Sequence, residues 1–108
     1  MTMHQAQLTV WGEPENLHFT EAPMPSPLRG HVLLKVTAAG VNPIDLTTRK
    51  GLGPAASLIN LDQEPAVLGW DVAGLVCETA GDYTGFQPGE KVFGLVQFPH
   101  PGKAYAEY

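Results

Sequence analysis

The 108-residue chain is poor in cysteine, in basic side chains and in long apolar runs. Its single cysteine, Cys77, excludes an internal disulfide, so a packed core must supply the stability and a reducing compartment is the expected setting. Six Lys and Arg against eleven Asp and Glu leave a net charge of −5. With no basic cluster to neutralise phosphates, nucleic acid and anionic membrane surfaces are excluded as partners. No apolar stretch reaches bilayer-spanning length, and residues 1–10 lack the basic start and apolar run of a secretory signal. Serines are few: Ser26 and Ser57 both lie in loop-like surroundings, and no G-x-S-x-G nucleophile elbow exists. The expectation is one soluble, slightly acidic, cytoplasmic domain covering residues 1–108.

What is present is punctuation. Twelve glycines and ten prolines divide the chain into short β-forming segments. Residues 6–11 (AQLTVW) and 17–21 (LHFTE) flank a Gly-Glu-Pro-Glu-Asn turn and read as a hairpin. Residues 22–30 carry three prolines and must be an extended connector. Residues 31–40 (HVLLKVTAAG) are the strongest strand, with Val32, Leu34, Val36 and Ala38 on one face by period two. Residues 52–65 read as a loop. Residues 67–77 (VLGWDVAGLVC) form a second apolar strand, in which Gly69 and Gly74 suggest a bulge or a close backbone approach. Residues 81–85 read as a loop, residues 92–98 (VFGLVQF) as a strand launched by a Pro-Gly turn, and residues 104–108 as the start of another. The pattern predicts a mainly β fold, a barrel or sandwich, with one small helix.

That helix is written at residues 42–51 (NPIDLTTRKG). Asn42 is a good N-cap, since its side-chain oxygen can accept an orphaned backbone N–H. Pro43 suits the first helical position, Asp45 the positive end of the dipole, Arg49 and Lys50 the negative end, and Gly51 the left-handed cap.

Other constellations are weaker. Gly51-x-Gly53-x-x-Ala56 matches a dinucleotide fingerprint in form, but a helix end precedes it and Pro54 follows, so it reads as a cap and a loop. The four histidines, His4, His18, His31 and His100, show no ligand spacing, which argues against zinc. Asp71, inside an apolar strand, is either an outward-facing residue or a charge facing a cleft.

The ordered segments AAGVNPIDLTTRKG, PAVLGWDVAGLV, GFQPGEKVFGL and YAEY resemble the N-terminal, GroES-like catalytic domain of the medium-chain dehydrogenase/reductase superfamily, and most of all its zinc-independent quinone oxidoreductase (zeta-crystallin-like) branch. The resemblance runs from about Leu17 to the end. It implies a GroES-like, partly open β-barrel with one or two short helices. In zinc-dependent members a cysteine ligand stands where this chain has Asn42, and the histidine of a G-H-E motif stands within Gly69-Trp70-Asp71. A relay hydroxyl is replaced by Ile44, and the four-cysteine structural lobe is absent. The resemblance therefore implies no metal. It implies NADPH as cofactor, with Asn42 and Pro43 at the nicotinamide, and Thr47, Thr48 and Trp70 on the substrate side. Asp45 and Asp71 become supporting or structural residues. Such members often carry tyrosine where this chain has Thr47.

The implied activity is hydride transfer from NADPH to a quinone or α,β-unsaturated carbonyl, with a small-molecule substrate as partner. A conjugated acceptor spreads the incoming charge over its own π-system, so positioning and hydrogen bonds can replace a Lewis acid. The family's Rossmann domain follows this region, so the chain is expected to be a fragment, inactive alone, with an exposed edge that favours homo-oligomers. The alternative is a free-standing GroES-like binding module of co-chaperonin type.

Overall fold

The computed structural model describes residues 1–81 and 85–108. Two antiparallel sheets make up the domain. The first is a hairpin of β1 (Thr2–Leu8) and β2 (Leu17–Pro23), in register from Thr2–Pro23 to Leu8–Leu17. The turn between them holds a short 3-10 segment, Pro14–Asn16. The second is a meander of β3 (Val32–Ala39), β4 (Asp71–Thr79) and β5 (Lys91–Leu95). Between β3 and β4 lie α1 (Pro43–Arg49) and the single-turn α2 (Gly53–Ala56).

The C-terminal segment joins the two sheets. Ala6 N–H bonds the Tyr105 carbonyl, and Glu107 N–H bonds the His4 carbonyl, along the β1 edge. Val36 N–H then reaches the Glu107 carbonyl from β3, while Tyr105 N–H bonds Leu68. The expected new strand is thus a connecting segment that satisfies backbone groups of both sheets. β5 has no second strand partner among the described residues, and its Phe93 side chain is 90% exposed.

The core lies where the hairpin, the helices and residues 66–70 meet. Leu8, Ala55, Ala66, Leu68 and Trp70 are buried there, with Trp11, Leu17, Ile44, Ile59, Leu61 and Tyr105 packed around them. On β3 the face read from period two is half-buried at Val32, Leu34 and Val36, with Lys35 and Thr37 exposed opposite, but Ala38 is exposed. Leu33 is the buried residue. The alternation breaks at Val36/Ala38, where β3 carries an extra residue, whereas the irregularity at Leu33/Leu34 places the extra residue, Cys77, on β4. Gly74 lies opposite the second bulge, where an added Cβ would come within 2.5 Å of the Lys35 carbonyl oxygen. This is the close approach its position implied.

The second apolar run is only partly a strand. Residues 67–70 are buried but irregular, and pairing begins at Asp71. Gly69, rather than forming a bulge, turns the chain at φ 95°, and an added Cβ would meet Tyr105 at 2.6 Å. The strand expected over residues 92–98 is shifted to Lys91–Leu95, and Gln97 beyond it takes a positive φ. The middle of the loop expected at residues 81–85 lies outside the described residues. The helix at residues 42–51 forms as predicted, with Pro43 first, Arg49 in the last turn and Gly51 at φ 81°. Residues 53–56, read from sequence as loop, add one further turn.

Candidate functional site

The start of α1 and the irregular segment before β4 are bound by a polar knot. Asp45 is 4% exposed. Its Oδ2 accepts the Asn42 backbone N–H at 2.8 Å, which closes the helix start as a capping box. Its Oδ1 crosses to the other segment and accepts the Gly69 N–H at 3.0 Å. One buried carboxylate thus satisfies two backbone donors and joins two chain segments. Asn42 repeats the link with its side chain, whose Nδ2–H donates to Asp71 Oδ2 at 2.5 Å. Asp71 in turn accepts the Gly40 N–H on its backbone carbonyl at 3.0 Å. Gly40 has no side chain for a reason: an added Cβ would stand 2.9 Å from Asp71 Cβ.

Tyr105 packs against the same knot. Its hydroxyl is enclosed, lies beside the Asp45 carboxylate and makes no hydrogen bond of good geometry. Burial first, and the neighbouring Asp45 second, push its pKa above the usual tyrosine range. The phenol therefore stays a neutral potential donor. A cleft of about 200 Å³ lies here, lined by Leu17, Val41, Leu46, Arg49 and Leu68 as well as Asp45 and Tyr105. Arg49 is anchored at the wall of this cleft: its Nε donates to the Gly12 carbonyl at 2.8 Å while Gly12 N–H returns a bond to the Arg49 carbonyl.

The residues singled out from the sequence separate into two groups. Asn42, Asp45 and Asp71 come together in the knot, and Pro43 stands exposed beside them. Thr47 is half-buried on α1, with its hydroxyl on the Pro43 carbonyl at 3.2 Å. Thr48 and Trp70 stand elsewhere than expected for a pocket wall. Thr48 has no exposed surface, and its hydroxyl bonds the Ile44 carbonyl at 2.7 Å. Trp70 is 1% exposed, packs edge-on to Phe98 and donates its indole N–H to the His100 carbonyl at 2.7 Å. Both are core residues, because the knot turns their segments inward. Sequence reasoning passed over Gly40 and Tyr105. Gly40 carried a signal, a glycine at the strand end beside Asn42, whereas the tyrosine's approach to Asp45 depends on the tertiary path of the tail.

A second cleft, of about 360 Å³, opens on the far side of Asp71 between Ala38, Gly40, Ala73 and Phe93. Among the described residues no three His, Cys, Asp or Glu side chains converge.

Two twisted sheets closed by a returning tail, with a short capped helix at their corner, define a GroES-like β domain of the dehydrogenase type. Residues 28–106 match the alcohol dehydrogenase GroES-like domain family, and the chain belongs to that family, within the medium-chain dehydrogenase/reductase superfamily. The mitochondrial NAD(P)H oxidoreductase RTN4IP1 of Mus musculus is 37% identical over 97 residues, covering 80% of this chain and 24% of its own length. The structure of the quinone oxidoreductase from Coxiella burnetii superposes with a TM-score of 0.89 at 37% identity, covering 99% of this chain and 33% of that one. A mycobacterial structure complexed with NADPH superposes with a TM-score of 0.81 at 32% identity, covering 97% and 30%. The chain spans about a quarter of the length of these curated relatives.

Proposed function

We propose that this domain is the substrate side of a zinc-independent, NADPH-dependent oxidoreductase acting on a quinone or α,β-unsaturated carbonyl. The observation that carries the reading is the Asn42–Asp71 bond. At the position of a metal thiolate in zinc-dependent members stands an amide already committed to a carboxylate. Trp70, at the histidine position, is buried and offers no lone pair. An amide, an indole and one carboxylate do not make the three anionic or imidazole donors that a catalytic zinc needs, so the residues do not fit that metal.

The fit to a dinucleotide is partial. Exposed Val41 and Leu46 beside the Asn42 amide and Pro43 suit the flat, part-apolar nicotinamide end. Among the described residues the phosphates find no comparable cradle: Arg49 is the basic residue on this helix's inner side, and its Nε is spent on Gly12. The remainder of the cofactor therefore belongs to a partner domain. When bound, NADPH supplies the hydride. This chain's residues hold the nicotinamide end through Asn42, present Thr47 toward the substrate side, and keep Asn42 and Pro43 in place through Asp45. An acceptor that delocalises its own negative charge needs no more than this positioning and a few donors.

The test is NADPH oxidation by the intact polypeptide that carries this domain, across a panel of quinones and enones. Turnover with conjugated acceptors and none with simple ketones is expected. No oxidation with any quinone or enone contradicts the proposal.

A further inference from the structure

The second sheet has one engaged edge and one open edge. On β3 the outer backbone is held, since Val36 N–H bonds the Glu107 carbonyl. β5 is the open edge, and its hydrogen-bonding phase follows from its neighbours. Val96 N–H bonds the Trp70 carbonyl, and Val76 N–H bonds the Glu90 carbonyl. Between these bonds Val92 and Gly94 stand opposite Gly74 and Val72. Even-numbered residues therefore direct their backbone groups at β4, and Lys91, Phe93 and Leu95 direct theirs outward. The same three residues share the outer face of the sheet, opposite Leu75, Ala73 and Asp71. Phe93 is 90% exposed and Leu95 67%. Neither a proline nor a bulge interrupts the strand, and such an edge is a template for another strand.

We propose that this edge is self-complementary, and that two copies of the 108-residue chain pair β5 to β5, antiparallel, about a two-fold axis at Phe93. The three outward residues are spaced evenly about Phe93. Its N–H and C=O exchange bonds with the same groups of the second copy, and Lys91 exchanges with Leu95 of the second copy. The two Phe93 rings meet as a cross-strand aromatic pair on one face, which covers the most exposed ring of the strand. Charge is complementary as well. Leu95 then stands between Asp71 and Lys91 of the second copy, whose backbones lie roughly 10 Å apart, two strand spacings. A lysine arm and a carboxylate span that gap. Asp71 has given Oδ2 to Asn42 and keeps Oδ1, and Lys91 has no ion-pair partner among the described residues. A strand from another protein finds the same backbone groups, but it must also bring a ring opposite Phe93 and a cation opposite Leu95. The second copy brings both in the register its own backbone dictates. This interface is independent of the reading of the nicotinamide site.

The experiment is sedimentation velocity on the 108-residue chain from micromolar to millimolar concentration. A concentration-dependent monomer–dimer equilibrium is expected. Phe93→Lys replaces the aromatic pair by two like charges across the axis, so it should weaken the dimer at least about tenfold. Because Phe93 is exposed, this variant should keep the wild-type urea midpoint, which separates lost pairing from lost folding. A second variant reads the geometry. Phe93→Cys in a Cys77→Ser background should crosslink on oxidation, because directly opposed residues of a bonded pair lie about 5.5 Å apart at Cα, within disulfide reach. A chain that stays monomeric throughout overturns the inference and leaves the edge to a strand of other origin. A dimer that Phe93→Lys leaves intact, or one in which oxidised Phe93→Cys chains fail to crosslink, uses another surface and overturns it too.

Discussion

Removing the Asp45 carboxylate is the sharpest perturbation of the knot. Asp45→Ala leaves two backbone donors without their acceptor, Gly69 N–H at 3.0 Å and Asn42 N–H at 2.8 Å. Gly69 is buried, so water cannot replace its partner, and the loss of a charge-assisted bond there costs about 2–3 kcal/mol. Asn42 is half-buried and partly rehydrated, which limits its share to about 1 kcal/mol. The sum, about 3–4 kcal/mol, is a large part of a small domain's stability of roughly 5–15 kcal/mol. With a urea slope of about 2 kcal/mol/M, the unfolding midpoint should fall by roughly 1.5–2 M at unchanged slope. Asp45→Asn keeps the shape but has one oxygen for two donors. It should lose about half as much, because its NH₂ end must oppose one backbone N–H. A loss below about 1 kcal/mol for Asp45→Ala, or an Asp45→Asn variant as stable as the wild type, would refute the role given to this carboxylate.

Further expectations follow from single contacts. Gly69→Ala places a Cβ 2.6 Å from Tyr105 on a backbone at φ 95°, so it should cost about 2–5 kcal/mol and reduce soluble yield. Trp70→Phe removes the indole bond to His100 and part of a core side chain. It should lower stability by about 2–3 kcal/mol in the same urea assay, without a direct loss of ligand contact. Tyr105 has a folded-state pKa raised above the ordinary value near 10, so above that pH the unfolded chain releases this proton first and the folded state is penalised. Stability should therefore hold below about pH 10 and decline as pH rises further, and Tyr105→Phe should remove that part of the decline when melting temperatures are compared across pH.

Local chemistry made the helix legible. Asn-Pro at its start, Asp45 in the first turn and Gly51 at its end each act within a few residues, and the structure places all of them as read. The hairpin was legible in outline for the same reason, since turn residues sit between two β-forming runs, although its first strand runs Thr2–Leu8 rather than over residues 6–11. The face of β3 was legible at Val32, Leu34 and Val36 but not at Ala38, because a bulge is a response to the neighbouring strand, and the Gly74 approach to Lys35 has no mark within residues 32–39 themselves. Residues 67–70 looked like strand because burial on all sides gives the same apolar run whether or not the backbone pairs. In the site, the types at Asn42, Asp45 and Asp71 were visible, but their hydrogen bonds span up to 29 residues and depend on where Gly69 turns. The burial of Thr48 and Trp70 was not legible, because a helix this short and a corner this tight set side-chain direction by tertiary packing, which periodicity does not encode.

The central claim is that this site positions a nicotinamide and a conjugated acceptor without a metal. Its most direct test is NADPH-dependent quinone reduction by the intact protein after exhaustive chelation, with metal content measured on the same sample. Undiminished turnover with far less than one zinc per chain is the predicted result. Stoichiometric zinc whose removal abolishes turnover, and whose return restores it, would contradict the account.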